Sequence, residues 1–434
     1  MTNNGSDEGF KRPSPSPRPP RQRSKTRARP SQSPPLAVRI AGVVLALAVI
    51  VGVVFAAIHL IRTRQSAPVP AGAQPTTGST SHGPTPAAAP TVCGDPGSLL
   101  TTMSVRDKLA QLLMVGVIGA ADARAVVDNQ HVGGIFITSW TDMSMLTDGS
   151  LTALASAPRP LPLAVSVDEE GGRVERLSAP SLLGKAPSAR ALVQTKTPPE
   201  QVYQLALKRG QGMRKLGITI DFAPVVDVTD APDDTVIGDR SFSNDPAVVT
   251  TYAGEYARGL RDAGVLPVLK HFPGHGRASG DSHTGGVTTP SLDALKSFDL
   301  VPYRTLATQA PVGVMVGHMQ VPGLTGNDPA SLSRAAVDLL RSGTGYGGQP
   351  FSGPVFTDDL SSMKAITDRY SVSEAVLKAL QAGADTALWI TTAEVPNVLD
   401  HLEAAVANKE LSIDNINASV RRMALAKALT RCAH

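Results

Sequence analysis

The chain has 434 residues, 42% of them hydrophobic, 4% aromatic and 18% charged, which is enough apolar material for a large globular core. Its formal net charge of +4 belongs to one end: residues 1–64 hold eleven Lys and Arg against only Asp7 and Glu8, leaving 30 basic and 35 acidic residues for the rest. A nucleic-acid surface argued from net charge therefore loses its basis, while length alone allows either several domains or one large barrel.

Residues 1–39 include SPSPRPPRQRSKTRARPSQSPP, proline and basic residues with no apolar period, and predict a disordered cytoplasmic tail. From Ile40 to Ile61 run 22 residues, IAGVVLALAVIVGVVFAAIHLI, without a Lys, Arg, Asp or Glu. At helical rise they match a hydrocarbon layer roughly 30 Å thick, so a transmembrane helix is expected at 40–61. Its length and the long leader favour a retained signal-anchor over a cleaved signal, and the basic N-terminal flank puts everything beyond residue 65 outside the cell membrane. Residues 62–92, rich in Pro, Ala and Thr, form a linker to a domain at 93–434. The two cysteines, Cys93 and Cys432, bracket that domain; in an oxidising compartment they are expected to pair, with two free thiols as the alternative. Neither has neighbouring His or Cys residues that would complete a metal set.

Beyond Cys93, eight apolar runs recur: 112–117, 133–138, 161–168, 218–228, 265–272, 312–318, 354–359 and 386–391. Runs apolar throughout suit parallel strands covered on both faces, and helical patterns such as 198–217 and 248–264 fill the gaps. The arrangement predicts a single α/β domain, a TIM-type (β/α)8 barrel, with an open doubly wound sheet as the rival. Asp168, Asp227, Lys270, His271, His318 and Asp358 each stand at the C-terminal end of a predicted strand, the face on which such barrels build active sites.

The segment KHFPGHGRASGDSH (270–283) gathers a lysine, three histidines and an aspartate among glycines. His271 and His275 would face one another on a helix, but Pro273, Gly274 and Gly276 break any helix there, which argues against zinc. No Walker or dinucleotide spacing is present, so no cofactor is expected. Hydrogen-bonding groups around a polar substrate use every residue of the segment.

Together with VDEEGGRVERL (167–177), DFAPVVDV (221–228), IGDRSFSNDP (237–246), VMVGHMQVPGLTGNDPASLS (314–333) and FTDDLSSMKAI (356–366), this segment resembles the glycoside hydrolase family 3 β-N-acetylglucosaminidases in order and spacing over nearly all of 93–434. The resemblance implies a retaining hydrolase of terminal β-linked N-acetylglucosamine. It assigns the nucleophile to Asp358, with Asp359 as the competing choice, and the general acid/base to His283 with its partner Asp281. It assigns sugar binding to Asp168, Arg176, Arg240, Lys270 and His271. An imidazole suits the acid role because it gives and takes a proton near neutrality. Glu169 stands where the family usually has Gln, a change expected to matter little because Asp168 and Arg173 are kept. The implied partner is a carbohydrate, with cell-wall peptidoglycan fragments suggested by the exported location. Phosphorolysis at the same site and a catalytically silent glycan-binding surface domain remain as alternatives.

The topology has a direct check. Protease added to intact cells should strip the domain beyond residue 65 and spare the N-terminal tail, and non-reducing peptide maps of that domain should join the Cys93 and Cys432 peptides; a protected domain contradicts the topology, and two freely alkylated thiols contradict the pairing.

Overall fold

A computed structural model describes residues 100–429. The chain divides into two units, of which Met1–Pro84 lies outside those residues and Thr85–His434 holds the fold. The tail, the 40–61 anchor, the linker, Cys93 and Cys432 all lie outside the described residues. Among the described residues no helix is long and apolar enough to cross a membrane.

The strands are β1 (Leu113–Val117), β2 (Gly134–Ile137), β3 (Ala164–Val167), β4 (Ile220–Asp221), β5 (Leu266–Phe272), β6 (Val287–Thr288), β7 (Gly313–Val316), β8 (Met319–Gln320), β9 (Val355–Asp359) and β10 (Thr386–Trp389). Eight of them close a parallel barrel in the order β1-β10-β9-β7-β5-β4-β3-β2, and β6 pairs with β8 in a separate two-stranded ladder. Each expected apolar run supplies one barrel strand. The exception in extent is 218–228, where only Ile220 and Asp221 form ladder. Pro224 has no N–H to give, and past it the pairing with β5 shrinks to the single Val225–Lys270 bridge.

Alternation sends one side of each strand into the barrel and the other against the helices. The interior is filled by Met114, Phe136, Ala164, Ile220, Phe222, Leu266, Val268, Met315, Phe356 and Leu388. Phe222 links the set, its ring centroid 5.7 Å from Phe136 and 5.5 Å from Phe356. Met423 and Ala426, from the C-terminal helix Ile413–Leu429, join this cluster. Lys427 donates to Gly133 O (2.8 Å), just before β2, so this helix closes the floor and the opposite end stays open.

Two helices behind the site are legible from their ends. Pro199–Lys215 begins with proline, carries Glu200 in its first turn and Arg214 and Lys215 in its last, in accord with the helix dipole. Pro246–Asp262 is capped by the Asp245 side chain on Ala247 N. The two pack closely because Gly259 lies where a Cβ would meet Tyr203 O at 2.5 Å. That contact sets Arg209, on the first helix, behind β3.

Candidate active site

At the open end, the loops after β3, β4, β5 and β9 surround a cleft of about 420 Å3. Every residue expected to bind sugar or do chemistry lines it: Asp168, Arg176, Arg240, Lys270, His271, Asp281, His283 and Asp358. A smaller hollow of about 250 Å3 lies near the barrel floor, where Asp385 is already paired with Arg341 and Arg422.

The cleft wall is a chain of alternating charges. Arg176 Nη2 stands 3.6 Å from Asp168 Oδ2, and Lys270 Nζ lies 2.6 Å from both Asp168 Oδ1 and Glu170 Oε1. Arg240 grips Glu170 with two bonds of 2.8 Å, through Nε and Nη2. The Lys270 and Glu170 side chains are only 3% and 4% exposed. Burial alone would neutralise each, but Arg240 and Lys270 hold the Glu170 carboxyl well below the usual range, and Asp168 and Glu170 raise Lys270 above its ordinary value. Glu170 is the residue that sequence reasoning missed. Its signal was its place two residues after Asp168, on the same side of an extended chain.

Glu169, between them, turns the other way and is fully buried. Its Oε2 accepts the Arg176 and Leu177 N–H groups at 2.8 and 2.9 Å, and Oε1 meets the Arg209 guanidinium. The expectation that a charge here would matter little is not what the structure shows: the carboxylate closes the loop that carries Asp168, Glu170 and Arg176. Arg173, four residues on, ties down the neighbouring loop through the Thr235 and Ile237 carbonyls and Asp239.

His271 is held by Asp227, whose Oδ2 lies 2.7 Å from Nδ1. Burial opposes ionisation of Asp227, but His271 outweighs it and keeps this carboxyl below its ordinary value. Asp227 therefore accepts the Nδ1 proton, leaving Nε2 facing the cleft, 4.0 Å from Asp358 Oδ2 and 3.5 Å from Arg240 Nη2. The Lys270–His271 peptide bond is cis.

The adjacent aspartates are unlike. Asp358 presents Oδ2 to His271; burial would raise its carboxyl, but His271, His318, the Asp359 N–H and Lys270 hold it at about 2. Asp359 is taken up by its own turn: Oδ1 accepts Ser361 N and Oγ, both at 2.8 Å, and Oδ2 accepts Ser362 Oγ. Its carbonyl accepts His318 Nε2–H at 2.8 Å, His318 Nδ1 lies 2.7 Å from the Ser331 hydroxyl, and burial pushes this imidazole below its ordinary value. His318 is thus a support beneath the cleft.

On the far wall, Asp281 Oδ1 receives both the backbone N–H of His283 (2.9 Å) and its Nδ1 (2.7 Å). Burial opposes ionisation of Asp281, but the two His283 bonds together outweigh it and hold the carboxyl below its ordinary value. The His283 and Asp281 side chains are 52% and 39% exposed, the most open titratable pair in the cleft wall. Among the described residues no group of three or more His, Cys, Asp and Glu is set to hold a metal ion.

The model of the glycosyl hydrolase family 3 N terminal domain matches residues 104–426. The chain belongs to glycosyl hydrolase family 3. It is 66% identical over 362 residues to the β-hexosaminidase LpqI of Mycobacterium tuberculosis, spanning 82% of this chain and 92% of that protein. A family 3 glycosyl hydrolase structure from Mycobacterium smegmatis aligns at 71% identity with a TM-score of 0.74, covering 75% of this chain and 98% of the other. A family 3 β-N-acetylglucosaminidase from Paenibacillus aligns at 33% identity with a TM-score of 0.70, covering 77% of this chain and 64% of that one.

The pair behind the family 3 cleft yields a stability test. Glu169→Gln keeps an acceptor for the two N–H groups but strands Arg209 as a buried cation. The expected loss is on the order of 3 kcal/mol, read as a lower urea midpoint at unchanged slope. A change below about 0.5 kcal/mol would mean that Arg209 does not depend on this partner.

Proposed function

We propose that this chain is a retaining β-N-acetylglucosaminidase working through a covalent glycosyl-aspartate. The observation that carries the reading is the division between the two adjacent aspartates: Asp359 is consumed by its turn, while Asp358 stays ionised in the cleft that also holds the Asp281–His283 pair. In the first step Asp358 Oδ2 attacks C1 as the C1–O bond to the leaving group breaks, and His283 Nε2 gives its proton to the departing oxygen. In the second, water attacks C1 and gives a proton to His283, and the ester to Asp358 breaks. Two displacements return the β-configuration. Asp281 keeps the His283 proton on Nδ1 when the ring is neutral, so that Nε2 is the atom that cycles.

Asp168, Arg176, Arg240, Lys270 and His271 bind the sugar. Asp168 accepts hydroxyl protons, and the cations donate to hydroxyl and acetamide oxygens. Their charges are already paired within the wall, so little reorganisation is needed when substrate arrives. With the anchor expected at 40–61 and the domain outside the membrane, the substrates within reach are peptidoglycan fragments ending in N-acetylglucosamine.

An aryl N-acetyl-β-glucosaminide should release its phenol, and adding phosphate should yield no sugar 1-phosphate. Asp358→Asn should nearly abolish turnover on every substrate. His283→Ala should cost about a hundredfold or more on poor leaving groups and far less on activated aryl glycosides, which barely need the proton. Inversion at C1, or equal losses of the His283 variant on good and poor leaving groups, would overturn these roles.

A further inference from the structure

The loop that carries the acid pair runs from the end of β5 to β6, and several bonds fasten it, among them Arg277 to Asp299. At its start His275 N–H donates to Asp227 Oδ1 at 2.6 Å, and at its end Ser279 and Thr288 bond to one another beside the β6–β8 ladder. Between these, the only residue of 281–283 that turns inward is Ser282, 2% exposed between a half-buried Asp281 and an exposed His283. Residues 282–284 form a turn closed by Thr284 N–H on Asp281 O (3.0 Å) and His283 N–H on Asp281 Oδ1 (2.9 Å), which leaves Ser282 inward while Asp281 and His283 both line the cleft. The serine meets two elements at once. Its Oγ lies 3.4 Å from Nε2 of the buried His275 and 3.9 Å from Met363 Sδ, and its carbonyl accepts the Ala365 N–H at 3.1 Å. Met363 and Ala365 belong to the segment that follows β9, the strand bearing Asp358.

We propose that Ser282 is the positioning residue of the acid/base: by pinning the loop to His275 and to the segment after β9, it sets where His283 stands relative to Asp358. The inference rests on the reading of His283 as the proton donor. The Ala365 N–H sits in the first turn of the short helix Lys364–Thr367, where no intrahelical acceptor exists, so Ser282 O is its protein partner. The acid is thereby referenced to the nucleophile's own strand and not only to the strand it springs from.

The test compares kcat/KM for phenyl and 2,4-dinitrophenyl N-acetyl-β-glucosaminides. Ser282→Ala should lose about tenfold or more on the phenyl substrate and much less on the dinitrophenyl one, while Ser282→Cys, small and still polar, recovers most of the phenyl activity. Equal losses on both substrates, or none on either, overturn the proposal, since a merely structural serine has no reason to discriminate leaving groups. His283→Ala is run alongside: if it shows the bias and Ser282→Ala does not, the positioning role alone fails, whereas no bias in His283→Ala removes the acid assignment itself. Should Ser282→Ala not fold, hydrogen exchange in the wild-type protein decides. A docked loop protects the Ala365 amide, and exchange there as fast as at an exposed first-turn N–H contradicts the pinning.

Discussion

A row of alternating charges across the mouth of the barrel is the constraint on which the site depends. Arg176, Asp168, Lys270, Glu170 and Arg240 stand in contact, and their inner members are almost removed from water. Each buried ion would be costly alone, and each is tolerable because its neighbours on both sides carry the opposite sign. Glu170 is the centre: without it, Lys270 and Arg240 would repel one another in the cleft wall. Three segments far apart in sequence, 168–176, Arg240 and Lys270, must be brought to one rim to complete the row. The closed parallel barrel does this by ending all its strands at the same face.

The same economy of roles runs through the chemical groups. Of two consecutive aspartates one is spent on structure, accepting from Ser361 and Ser362, so that the other keeps a free oxygen in the cleft. Of the histidines, His318 and His275 are buried, which pushes both imidazoles below their ordinary value, while His271 has its tautomer set by Asp227. Of the two cleft-lining histidines paired with an acid, His271 is 6% exposed and His283 52%. In the proposed mechanism these differences in environment, not in residue type, decide which group attacks, which gives a proton and which holds the frame.

The fold was legible because eight strands buried on both faces leave eight unbroken apolar runs, and the helices behind the site announce their ends with Pro199, Asp245 and Pro246. The short β4 was not, since 218–228 reads as continuous apolar chain and only the missing N–H of Pro224 hints that the ladder stops. The site residues named from sequence all reach one cleft. What stayed hidden is pairing across the chain: nothing local says that Glu170 meets Arg240, that Glu169 meets Arg209, or that Ser282 reaches the segment after β9. The choice between Asp358 and Asp359 was equally closed to alternation, because the strand ends there, and it turns on two serines whose hydroxyls claim one of the pair.

The central claim is that Asp358 carries the sugar during turnover. A fluorinated aryl N-acetyl-β-glucosaminide whose second step is slowed should leave a glycosyl group on the enzyme, and fragmentation of the labelled peptide spanning FTDDL by mass spectrometry should put that mass on Asp358. A label on Asp359, or turnover with no covalent species under conditions that slow deglycosylation, would contradict the account.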